Sequence, residues 1–419
     1  MMTQAFYTGV SGIKTNQSAI DVVANNIANI STYGFRASTP EFASLFEKAI
    51  STTSAHVGED TVGVGSRMQA TTMNLQNGSL ILTERSTDLA ISGDGWFGVQ
   101  SNGNPLYTRD GSFTFDANND LVTTDGYYVL GTMGKNIVDN VLTSILPEVK
   151  LADVKAQEKL QFPKYLTYPA EPSTSAKFFA NVGVGEDPIS VGAGVVDPMG
   201  NKNHLQLVFT KNPIQNPPGS QWSVVATTQT LDGLSVYDTK TGTVEFGAGG
   251  DLLSTSLTTI DNNGATVNMN LGLGYSGIVS INRPYEPGSS TADGAIGGVL
   301  QGYQINQDGE VIATFTNGKQ SGVGKIAVYH FQNDQGLERT SSNRFSESIN
   351  SGDALFYKNT AGENIIGTSL MNYRLETSNV RMEVALTELI IYQKAFDASS
   401  KCVSTADQMI QKALNMAAK

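Results

Sequence analysis

The side chains best able to do chemistry are few and scattered. The three histidines, His56, His204 and His330, lie far apart in the chain, and Cys402 is its one cysteine. That is little raw material for a histidine-rich metal centre or a thiol nucleophile, and it excludes an intrachain disulfide. Adjacent carboxylates occur at Glu59-Asp60 and Glu186-Asp187, both in loop-like surroundings. Glycoside hydrolysis needs two carboxyl groups flanking the scissile bond at a set separation, and neighbours in a loop set none. Asp116, Asn118 and Asp120 have the spacing of a calcium loop, but its sixth position is Leu121 rather than Gly and its twelfth is Tyr127 rather than Glu. They read as turn formers. GLGYSG at 272–277 matches a phosphate-binding glycine pattern, yet IVSINRP follows it. That run is extended, where a phosphate cradle needs a helix N-terminus. His56 reads as a loop residue, His204 as a surface or edge residue opening HLQLVFT, and His330 as a satisfied core or interface residue in IAVYHF. No catalytic, metal-binding or cofactor-binding residue is assigned, no cofactor is expected, and the chain reads as a structural protein rather than an enzyme.

The totals narrow the partners. A formal charge of -12 and a pI near 4.8 speak against nucleic-acid or anionic-membrane binding, which need basic patches. No apolar run is long enough to span a bilayer, so membrane insertion is not expected. The N-terminus, MMTQAFYTGV, lacks a basic region followed by an apolar one, so export, if any, is expected without a cleaved signal. The 419 residues allow two or three domains, and 43 Gly among many Thr, Ser and Asn suggest turn-rich β structure.

Two stretches stand apart from that β character. In 375–416, which has no Pro or Gly, Leu375, Met382, Leu389, Phe396, Val403 and Ile410 recur every seven residues. A smaller row follows three residues behind, Ala385, Tyr392, Ala406 and Ala413, interrupted by Ser399. Near the N-terminus, Phe6, Ile13, Ile20 and Ile27 form a second seven-residue repeat, extended by Val23 and Ile30. A sustained heptad keeps one seam facing a partner helix, so the two ends are expected to pair as a coiled coil. Gly9 and Gly12 weaken the first helix by about 1 kcal/mol each, and it is expected to close in ANNIANIST with Gly34 beyond it. The pair has no globular core of its own, so the termini are expected to order when many copies pack together.

Between them, alternation and Gly, Asp and Asn turns indicate strands. PEFASLFEKAI reads as a short helix with Phe42, Leu45, Phe46 and Ile50 on one face. INQDGEV reads as a hairpin turning at Asp308-Gly309. The expected fold is mainly β with α-helical termini: two nested β-domains and a terminal helix pair. Residues 1–30 with 371–419 form the helical core, 31–70 with 356–370 a flexible linker, and 71–149 with 285–355 the first β-domain. Residues 150–284 form a second β-domain inserted into the first.

SGIKTNQSAIDVVANNIANISTYGFR, at 11–36, resembles the N-terminal signature of the bacterial flagellar axial proteins, the family of rod, hook and hook-associated proteins. SNVRMEVALTELIIYQKAFDASSKCVSTADQMI, at 378–410, is similar to that family's C-terminal signature. DLAISGDGWFGVQ at 88–100, YTRDGSFTFDANNDLVTTDG at 107–126 and the stretch 299–348 resemble its first β-domain. Asn25, Asn26, Asn29, Gly34, Phe35, Ser378, Asn379 and Val380 carry the terminal motifs. Arg381 stands where the family usually has an acidic residue, and Cys402 where it commonly has a small or aliphatic one. The resemblance implies a structural subunit whose heptad residues make subunit contacts. Shorter rod subunits lack a large insert, so the hook is the expected place, with a distal rod or hook-paralogue subunit as the alternative. A secreted glycoside hydrolase would need placed carboxylates, and a β-rich adhesin would not explain matched heptads at both ends. The resemblance further implies a flexible homopolymeric tube that joins rod to filament and transmits motor torque. Its implied partners are other copies, the distal rod protein, the hook cap protein, the hook–filament junction proteins and the flagellar type III export apparatus.

Overall fold

The computed structural model describes residues 2–46, 63–101, 103–183, 185, 188–213, 215 and 219–417. His56, Glu59, Asp60, Glu186 and Asp187 lie outside the described residues. Helix α1 spans Met2–Ala28 and helix α2 spans Met382–Ala417. At 1.5 Å per residue the 36 residues of α2 run about 54 Å. The two helices pack along each other, and strands make up most of what lies between.

The heptad reading overreaches at one residue. Leu375 is not in the helix but in the strand Arg374–Glu376, where it is buried and paired with Ile81. The reason is local hydrogen bonding. Thr377 donates its amide to Ser79 O at 2.9 Å, and the Asn379 side chain takes three further backbone groups, so 377–381 has non-helical partners. The seven-residue spacing from Leu375 to Met382 crosses that break.

PEFASLFEKAI is also corrected as far as residue 46; residues 47–50, Ile50 among them, lie outside the described residues. Residues Ser38–Phe46 form strand β1, paired antiparallel with strand β2, Gly63–Met73. The apolar spacing of Phe42 and Leu45 suits a helix locally, but pairing with β2 supplies the backbone bonds. This two-stranded arm lies on the helices. The Phe42 ring meets Tyr392 of α2 edge-on at 5.9 Å, and Thr15 of α1 donates its hydroxyl to Ser66 O at 2.9 Å.

The larger core is one sheet system built from both halves of the chain. Gln320–Ile326 pairs with Tyr128–Met133, which pairs with Trp96–Gln100, which pairs with Leu106–Thr108 and onward to Arg344–Ser346. The hairpin between Gly298–Ile305 and Glu310–Phe315 turns at Gly309, whose φ of 72° only Gly adopts freely. Trp96, Phe97, Phe113, Phe162, Val311 and Tyr329 fill this core. Leu151, Leu160, Phe162, Leu166 and Tyr168, read from sequence as part of the insert, are buried here as well.

A second core is separate. Ile189–Val196, Lys202–Lys211, Ser220–Thr230, Val236–Phe246 and Leu252–Thr255 form a five-stranded antiparallel sheet in chain order. Leu205, Leu207 and Phe209 alternate inward as the two-residue strand period requires, and Trp222, Val224 and Val267 pack against them. The connecting segments pair at Glu171 and Ala295, and Asp293 accepts the amides of Thr174 and Ser175 at 2.8 and 3.0 Å.

The remaining sequence candidates have structural employment. Asp116 Oδ1 accepts the amides of Asn118 and Asp120 at 2.8 and 2.9 Å, closing a turn. GLGYSG is a loop leading into the short strand Ile278–Val279. His204 is half-buried within the five-stranded sheet rather than at its edge. His330 is buried, its Nε2 lies 2.7 Å from Ile366 O, and its ring rests on Tyr357.

A candidate assembly surface and the neck beneath it

Along α1, Phe6, Ile13, Ile20 and Ile27 are half-buried, with Ala19 and Val23 fully covered. Along α2, Ala385, Leu389, Tyr392, Phe396, Ser399, Val403, Ala406, Ile410 and Ala413 are all buried or half-buried, and they recur at alternating intervals of three and four. This stripe faces α1. A Cβ on Gly9 would lie 2.7 Å from Val403 Cγ2, and one on Gly12 would lie 2.8 Å from Ser399 Oγ. Ser399 is therefore part of the seam, and the glycines that weaken α1 locally let the two helices approach at backbone distance.

Met382, at the start of the seam, is 42% exposed. Leu386 and Ile390 follow it at four-residue intervals and are at least as open. Val384 and Ile391, seven residues apart, are open on another side of the helix. The first three turns of α2 are thus apolar around most of their circumference, while α1 covers one side. A helix apolar all round is one that is buried all round.

The motif residues gather at the base of the helices, within the chain. Asn26 is buried and grips Ser38 at the start of β1, its Nδ2 donating to Ser38 O at 2.7 Å and its Oδ1 accepting Ser38 N at 2.9 Å. Asn379 Oδ1 accepts Ala37 N at 2.7 Å while its Nδ2 donates to Asn74 O and Gln76 O. Ser378 Oγ accepts Val380 N, and Val380 packs with Val23, Phe35 and Ala385. Phe35 is buried under the Arg339 guanidinium at 4.9 Å. Asn25 is exposed and accepts from Asn29 Nδ2 at 2.9 Å. Asn25, Asn29 and Phe35 line, with Thr108, Asp125 and Arg344, a polar cleft of ≈ 400 Å³. Gly34 has φ +64°, and a Cβ there would lie 2.5 Å from Asp110 N.

One group of side chains is absent from the sequence reading. Glu376 is 1% exposed and sits between two arginines. Its Oε1 is 3.0 Å from Arg36 Nη1, its Oε2 is 3.4 Å from Arg109 Nη1, and both guanidinium groups are buried. Glu376 Oε1 also accepts Gly78 N at 2.8 Å, and its backbone oxygen accepts Gly34 N at 2.7 Å. Arg36 donates to Gln76 O and, at 2.9 Å, to Asn77 Oδ1. Arg109 donates to Gly93 O at 2.8 Å and lies over the Trp96 ring. Burial, with Arg36 beside it, holds the Arg109 guanidinium down at about 10, and burial lowers Arg36 too, opposed by Glu376. Isolated charges at 36, 109 and 376 give no sign of this meeting in the sequence.

Paired terminal helices, an arm lying on them and β-units filling the middle of the chain are the layout that the resemblance to axial subunits of a polymeric appendage implies. The comparisons agree. Residues 6–36 match the family model "Flagella basal body rod protein", residues 90–161 "Flagellar hook protein FlgE/F/G D1 domain", and residues 371–416 "Flagellar basal body rod FlgEFG protein C-terminal". The flagellar hook protein FlgE of Escherichia coli (strain K12) is 29% identical over 98% of this chain and 100% of its own length. That of Borreliella burgdorferi is 26% identical over 99% and 100%. The crystal structure of Helicobacter pylori flagellar hook protein FlgE2 shares the fold, with a TM-score of 0.52 at 16% identity over 71% of this chain and 100% of that one. Over almost its whole length the chain is similar to flagellar hook proteins, and it is a structural subunit of the bacterial flagellar hook.

Proposed function

We propose that the chain polymerises into a flexible helical tube that joins rod to filament and transmits motor torque. The observation that carries this is the uncovered apolar girth of α2 at Leu386, Ile390 and Ile391, the last two 57% exposed. In a monomer those side chains stand in water. Neighbouring copies remove them from it, at roughly 25 cal/mol per Å² of apolar surface buried. A patch on one copy that meets a different patch on the next propagates without closing and grows a helical tube. The helix pair then forms the inner wall, with the heptad residues and motif asparagines at or beneath the subunit contacts. The β-units face outward. The tube's ends meet the distal rod protein, the hook cap protein and the hook–filament junction proteins, and subunits arrive through the flagellar type III export apparatus. The role is structural rather than enzymatic. We place the boundary of the inserted domain near 171 and 295, where the connecting segments pair.

Ile390→Asp tests the reading. The side chain is exposed in the single chain, so the variant folds and is exported. It should form no hooks in a strain lacking its own copy. Hooks of normal number and length from that variant would remove α2 from the subunit contact.

A further inference from the structure

Three stretches of chain meet between the helices, the arm and the larger β core, and all three pass Glu376. The first is 34–37, leaving α1. The second is 74–78, returning from the arm. The third is 374–379, entering α2. Gly34 N binds the backbone oxygen of Glu376 at 2.7 Å, and Gly78 N binds its Oε1 at 2.8 Å. The β core reaches in through Arg109, which touches Glu376 Oε2, Gly93 O and the Trp96 ring. Trp96 Nε1 is tied in turn to Asp334 Oδ1 at 3.0 Å. One carboxylate thus faces two buried guanidinium groups, with Asp94 and Asp334 supplying the remaining negative field. A buried ion group is a poor source of net stability, but removing its central charge leaves two cations without their partner. Its geometry is directional, because each guanidinium presents a planar fork of donors.

We infer that Glu376 is a positioning residue for the hook: it locks the neck, fixing the orientation of the helix pair relative to the larger β core. This rests on the hook reading for its consequence and not for its geometry. A tube made of such subunits carries load from helices to β core through a fixed angle. The shape changes of a bending tube then fall outside the neck, between copies or at the pairing of Glu171 with Ala295.

Amide hydrogen exchange on the purified full-length chain tests the lock. In the unaltered chain, Gly34 and Gly78 should exchange slowly. In Glu376→Gln, which keeps the shape and removes the charge, both should exchange at least tenfold faster, while the core amides of Phe97 and Val129 keep their rates. Adding Arg109→Met removes the surplus buried cation and should bring Gly34 and Gly78 back to within about threefold. Hooks built from Glu376→Gln should show at least twice the spread of curvature in negative stain, and the double variant should narrow it again. Unchanged exchange at Gly34 and Gly78 overturns the inference. So does acceleration that spreads equally to Phe97 and Val129, since Glu376 would then support the β core rather than the neck. Failure of the double variant to recover also overturns it. A chain that forms no tubes at all, yet shows the predicted exchange, sinks the hook reading and leaves the lock standing.

Discussion

Gly12 and Ser399 meet where α1 and α2 cross, and a Cβ on Gly12 would lie 2.8 Å from Ser399 Oγ. Ser399 cannot swing away freely, because its hydroxyl donates to Ala395 O at 2.8 Å. Its own Cβ would sit 3.4 Å from the added methyl, an ordinary contact. Gly12→Ala should therefore weaken assembly, although Ala gains about 1 kcal/mol of helix propensity. With Ser399→Ala added, the clash is gone and the propensity remains. Counts of hooks per cell should fall in the single variant and recover to the unaltered level or above in the pair. Normal counts in the single variant would mean the helices do not cross this closely in the hook.

The two cores should melt separately. Phe162 and Trp222 are each fully buried, one in the larger core and one in the second. Phe162→Ala should cost about 3–5 kcal/mol in the transition of the larger core alone. Trp222→Ala should cost a similar amount in the other. Calorimetry of both variants decides it. A Phe162→Ala effect on the second core would return 150–168 to the insert.

The insert should be removable. Replacing 173–293 by a short Gly-Ser linker cuts the chain beside the pairing of Glu171 with Ala295, where the ends are already close. The helices, arm and neck are untouched. The shortened chain should be exported and assemble, but into straighter hooks with impaired swimming, because outer contacts have the longest lever arm across the tube. Electron microscopy and swim-plate assays read both effects. Unchanged curvature would deprive the insert of a part in shaping the tube.

His330 should make the larger core sensitive to mild acid. Burial lowers its pKa below 6.5, with the Ile366 carbonyl opposing. The unfolded chain therefore takes up a proton near pH 6.5 that the folded chain refuses until lower pH. Stability is fully present above that range and falls as pH drops below about 6.5, by at most ~1.4 kcal/mol per pH unit. His330→Phe should flatten this loss. Denaturant midpoints at pH 7.5 and 5.5 check the sign, and parallel profiles for the two proteins would rule out His330 as the source.

What the sequence by itself determined is what short windows determine. The heptads through Leu389, Phe396, Val403 and Ile410 predict a long helix with one seam, because the period is a property of a single segment. The Asp308-Gly309 hairpin follows for the same reason, as does the reading of Asp116 as a turn former. The tertiary structure alone decided the rest. Leu375 keeps the heptad spacing but is drawn into a strand by Ile81. Phe42 fits a helical face until β2 offers β1 its backbone. Gly12 looks like a defect until Ser399 is set against it. Leu160 and Phe162 carry no mark of which core they enter. Arg109 and Glu376 are 267 residues apart, and nothing in a local pattern encodes a contact at that separation. Periodicity is written along one stretch of chain, whereas burial of a charge between two others exists only once distant stretches have been brought together.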